Sequence, residues 1–108
     1  MRIALLTGIL AFVFCATFVS CDHTIKTVTV QIHNRSGYEL TDVGVSPGDY
    51  WEKIEKGKSV ETIGEWVNSK SFRLDIDFTR NQMIHRIGRR VHDGDIIILL
   101  VFDDKWEW

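Results

Sequence analysis

Phe72, Leu74, Ile76 and Phe78 alternate without a break with Arg73, Asp75, Asp77 and Thr79. No other feature of the chain restricts its fold as much. Successive side chains of a strand point to opposite faces, so this stretch buries one face and wets the other. Val28, Val30 and Ile32 repeat the pattern among Thr27, Thr29, Gln31 and His33. β-Branched residues favour the pleated surface in both stretches.

The breaks between extended runs carry turn chemistry. Asn34-Arg35-Ser36-Gly37 ends the first run, and a second follows from Tyr38 to Ser46. Together they read as a hairpin, with a bulge near Thr41-Asp42 where Leu40 and Val43 break parity. Ser46-Pro47-Gly48-Asp49 is the strongest turn signal. A short strand over Tyr50 to Ile54 leads to the turn Lys56-Gly57-Lys58. Ser59 to Val67 is then extended, with Val60, Ile63 and Trp66 as inward residues. Arg80-Asn81 turns the chain into Gln82 to Ile87, and Asp93-Gly94 marks a tight turn. Ile96 to Phe102 is apolar throughout and predicts a central strand buried on both faces. The expected fold is all-β: a small antiparallel β-sandwich of about seven strands, immunoglobulin-like in outline.

The first residues belong to a different regime. Ile3 to Val19 is almost wholly apolar, Arg2 precedes it, and no acidic residue occurs before Asp22. A cationic start, an apolar run and an abrupt polar change describe a secretory signal. Ordinary cleavage needs small residues around one variable position, and Phe14 and Phe18 obstruct both sites on offer. Phe18-Val19-Ser20-Cys21 instead resembles the lipobox of bacterial lipoproteins. In that family a small residue precedes an invariant Cys, which receives a diacylglycerol and becomes the mature N-terminus. Ser20 and Cys21 match, and Phe18 stands where Leu is usual. The resemblance implies a signal peptide over 1–20, a lipidated N-terminus and short linker over 21–24, and the sandwich over 25–108. It also implies a place in the bacterial cell envelope, tethered to a membrane and facing the periplasm or the outside. The alternatives are an uncleaved membrane anchor and, for Cys21, a free or intermolecularly paired thiol. Cys15, the other cysteine, lies in the apolar run. The domain behind the anchor therefore has no disulfide to lean on.

Chemistry is sparse. Net charge is −2 with both signs scattered, so no basic stripe points to nucleic acid. Arg86, Arg89 and Arg90 form the densest basic group and read as a solvated hairpin beside Asp93 and Asp95. His85, His92, Asp93 and Asp95 would meet if residues 82–98 formed a hairpin, yet their spacing matches no metal motif. Asp75 and Asp77, with Arg73 beside them, share one face of a strand; they read as the solvated face of a sheet rather than as a catalytic carboxylate pair, which also needs a cleft. Asp103-Asp104 lacks a calcium-binding series. Phosphate loop, nucleophile elbow and Cys–His pair are all absent. The expectation is a protein without enzymatic activity or cofactor.

The four Trp are harder to place. Trp106 and Trp108 alternate, so an extended tail presents both on one face. With Trp51 they are candidate contacts for a protein partner or a glycan; equally, the terminal rings can cap the core. The leading functional expectation is an envelope lipoprotein whose sandwich binds a protein partner, one version being an immunity or inhibitor protein. The others are a glycan- or peptidoglycan-binding module using exposed Trp, and an accessory subunit of an envelope complex.

Overall fold

A computed structural model describes residues 24–108; the segment expected to be a signal peptide and Cys21 lie outside the described residues. Eight strands follow one another: β1 (Lys26–Asn34), β2 (Leu40–Ser46), β3 (Tyr50–Ile54), β4 (Ser59–Trp66), β5 (Ser71–Arg80), β6 (Met83–His92), β7 (Asp95–Val101) and β8 (Trp106–Glu107). They form two four-stranded sheets. Sheet I has the order β4-β1-β7-β8 and sheet II the order β3-β2-β5-β6. Among the described residues no helix occurs, so none is long and apolar enough to cross a membrane.

The expected sandwich is present, and its core is built where the alternation places it. Val28, Val30 and Ile32 of β1 meet Leu74, Ile76 and Phe78 of β5, joined by Leu40, Val43 and Val45 of β2 and Ile97, Leu99 and Val101 of β7. Each fully buried aliphatic or aromatic side chain contributes about 1.5–3 kcal/mol by leaving water. With no cysteine after Cys21, this layer is what holds the domain together.

Turn chemistry is realised at most of the expected places. The β2–β3 hairpin closes through Ser46-Pro47-Gly48-Asp49, with a cis Ser46–Pro47 bond and Gly48 at φ +151°. Asn81 and Gln82, both at positive φ, join β5 to β6. The bulge falls between Thr41 and Gly44, where the β2–β5 register shifts and Asp42 takes φ +47°.

Four expectations are corrected. First, β1 and β2 are not a hairpin, because they lie in different sheets. The buried Asn34 side chain redirects the chain: its Nδ2 donates to the carbonyls of Tyr38, Ile54 and Glu55, and its Oδ1 accepts from Ser36 N–H and Oγ–H. Second, residues 82–98 form no hairpin. β6 pairs with β5, while β7 pairs with β1, so Asp93-Gly94 is a corner between sheets. The corner is tied to the start of β1: Gly94 N–H donates to Thr27 O, and Thr27 N–H donates to Asp93 Oδ1.

Third, β7 is buried on one face only. Ile97, Leu99 and Val101 point inward, whereas Ile96 is 65% and Ile98 44% exposed. Among the described residues nothing covers the outer face of sheet I, and an apolar run by itself does not say which side is covered. Fourth, Ile63 points outward. Trp66 faces the core, and period two then sends Gly64 and Thr62 inward and Ile63 out. Gly64 is also required there, because a methyl group would overlap the Pro47 carbonyl oxygen.

The pairing is not purely antiparallel, since β1 and β7 run parallel. The immunoglobulin constant pattern places the first strand beside the second. Here the first strand lies between the fourth and the seventh, so the likeness stops at the two-sheet sandwich.

Candidate functional site: a charged trough on sheet II

The outer face of β5 presents Arg73, Asp75, Asp77 and Thr79, as the alternation requires. Its two neighbours both place a glycine beside the aspartates. Gly44 of β2 lies opposite Asp77, and Gly88 of β6 lies opposite Asp75. Beside Gly88 the face holds a shallow trough, a depression of about 360 Å³ lined by Arg73, Asp75, Asp77, Arg86 and Gly88 together with Ile76 and Ile87.

The charges in the trough are partly spoken for. Arg73 Nε donates to Asp75 Oδ1 at 3.0 Å, and its guanidinium lies across Gly88. Arg90 donates to Ser71 Oγ at 2.8 Å. Arg86 is exposed, faces Asp77 across the β5–β6 pair, and makes no ion pair among the described residues. At the far side Tyr50 donates its hydroxyl hydrogen to Asp42 Oδ1 at 2.7 Å. That hydrogen bond to a carboxylate, with minor desolvation and the charges of Asp42 and Glu52, raises the Tyr50 pKa above 10.0. Tyr50 therefore stays a neutral, oriented phenol at any physiological pH. Tyr and Arg are the residue types that dominate protein–protein hot spots.

The other candidates named from sequence disperse. His85 packs on β6 against Phe78, ring centroids 5.1 Å apart, while His92 and Asp95 sit at the β6–β7 corner, 3.9 Å from each other. No group of three or more His, Cys, Asp or Glu that would hold a metal ion occurs among the described residues. Asp103 is structural: its carboxylate accepts from the Gly37 N–H. Trp66 is buried, and Trp51 and Trp106 pack against the core. Trp108 is the most exposed of the four. It meets Trp106 edge-on with centroids 5.2 Å apart, and the Arg89 guanidinium lies 5.1 Å from its ring centroid.

One polar chain went unnoticed in the sequence. Ser59 Oγ lies 2.7 Å from His33 Nδ1, His33 Nε2 lies 3.2 Å from Gln31 Oε1, and Gln31 Nε2 donates to Glu61 Oε1 at 3.4 Å. A nucleophile and its base need such reach. Here, however, His33–Ser59 and Gln31–Glu61 are the direct cross-strand pairs of β1 and β4, and register alone accounts for the chain of contacts. Gly44 and Gly88 were missed as well. A glycine inside a strand pattern marks a bulge or a close approach, and that signal was available for both.

No family model, curated protein or solved structure matches the chain.

Proposed function

We propose that this protein is a lipid-anchored component of the bacterial cell envelope, tethered through Cys21, whose sandwich binds a protein partner through the trough on sheet II and performs no catalysis of its own. The observation that supports the partner site is the glycine-floored trough, with Arg86 unpaired and Tyr50 oriented at its rim. A partner that supplies acidic groups to Arg86 matches this chemistry. An immunity or inhibitor protein and an accessory subunit of an envelope complex are both forms of this reading. Glycan binding has less support, because three Trp are committed to the core and Arg89 occupies one side of the fourth.

Two measurements test the proposal. Cys21→Ala should move the protein from the membrane to the soluble fraction; unchanged retention would remove the lipid anchor from the reading. Gly88→Leu should fill the trough by pushing aside the ends of two exposed side chains, Arg73 and Asp75. A protein co-purifying stoichiometrically with the wild type should be lost with this variant. Co-purification that is identical for both would rule out the trough as the contact.

A further inference from the structure

On the outer face of sheet I the side chains of β1 and β4 change in polarity along the strands, while β7 presents Ile96 and Ile98. Gln31, His33, Ser59 and Glu61 occupy the end of β1 farthest from its start. Toward the start the face turns apolar. Ile63 and Ile96 flank Thr29 on either side in one row. Ile25 and Val67 lie just beyond the last β1–β4 pair, Lys26 and Trp66, and both are exposed. Four large apolar side chains thus face water at one end of one sheet, around the Thr27–Glu65 pair, whose Glu65 carboxylate is exposed on the same face. Single exposed apolar residues need no explanation, but a contiguous group does.

That end is where the chain enters the domain. Three residues lie between Cys21 and Ile25, and the four steps of a fully extended chain cover at most about 14 Å. Resting on the anchor reading above, we infer that this apolar end of sheet I, formed by Ile25, Ile63, Val67 and Ile96, lies against the lipid surface to which Cys21 is attached. A tether this short holds these side chains at the interface, and their transfer out of water favours contact. Sheet II, on the opposite side of the sandwich, is then turned away from the bilayer with its trough open. The two faces divide the work, one toward lipid and one toward protein.

The test uses the mature chain from Cys21, joined at that thiol to a maleimide-bearing lipid in vesicles of phosphatidylethanolamine and phosphatidylglycerol. This tether does not depend on cellular processing. Single variants Ile63→Trp, Ile96→Trp and, on the other sheet, Ile84→Trp are compared, each at an exposed position. Brominated lipid should quench the added fluorescence of the first two several-fold more than that of Ile84→Trp. Equal quenching at all three positions would overturn the inference while leaving the anchor reading intact. The reverse failure is also separable, since retention of Cys21→Ala in cell membranes would remove the reading and this inference with it. A concentration-dependent dimer without vesicles that is lost in Ile63→Asp would assign the face to a second copy of the chain, and that also overturns it.

Discussion

Asn34 ties the end of β1 to the chain on either side of β2 and β3. It is buried, yet every polar atom of its side chain is used: three carbonyls accept from its amide, and Ser36 donates twice to its oxygen. Burying an amide without such partners costs free energy, so the network and the burial depend on each other. Asn34→Asp keeps the shape and removes all three donations while facing three carbonyl oxygens with a negative charge. The expected loss is at least about 3 kcal/mol, from several buried groups left unsatisfied at once. Urea unfolding measures it, and a midpoint equal to that of the wild type would show that the network contributes nothing. The sequence offered Asn34 only as a turn residue. Turn propensity identifies where a chain bends, but not that the bend leads into another sheet.

At the scale of elements, the C-terminal strand shows what a buried cation can organise. Arg80 closes β5 and is almost fully buried, with Nη1 donating to the carbonyls of Phe102 at 2.6 Å and Lys105 at 3.0 Å. Among the described residues it forms no ion pair. The loop between β7 and β8 is therefore held by backbone acceptors on a charged donor, a stronger contact than a neutral hydrogen bond. Arg80→Met should cost about 2 kcal/mol. It should also loosen β8, seen as a red shift of Trp emission and greater quenching by acrylamide. A variant with unchanged emission would mean that β8 is held by Trp106 packing alone. Strand existence was readable almost everywhere, because alternation and turn residues are local signals. Strand partners were not, because the pairing of β1 with β4 and β7 depends on contacts far apart in sequence. Ile63 and the outer isoleucines of β7 were misplaced for a related reason. Hydrophobicity reports a preference, while parity and the absence of a covering layer decide the outcome.

For the molecule as a whole, His85 sets a pH dependence. Burial first, and the nearby Arg80 charge second, lower its pKa below the ordinary 6.5. Arg80 Nη2 lies 3.5 Å from its Nε2. The unfolded chain takes up this proton more readily than the folded one. The stabilising contribution is therefore complete above about pH 6.5 and is lost as pH falls toward the lower folded-state value. His85→Gln should flatten that part of the urea-midpoint curve against pH relative to the wild type. Parallel curves would show that His85 does not titrate differently on folding. The trough on sheet II was half legible: Asp75, Asp77 and Arg73 could be placed on one face from the alternation. The glycines beside the aspartates carry no chemistry and drew no attention.

The position of β1 between β4 and β7 has a consequence for how the protein is made. A ribosome releases the chain from its first residue onward. β1 can then find its antiparallel neighbour once Trp66 has emerged, but its parallel neighbour only when Val101 is free. Sheet I cannot close until β7 has been synthesised. The order of the strands thus makes the closing of sheet I a later event in synthesis than the β2–β3 and β5–β6 pairings.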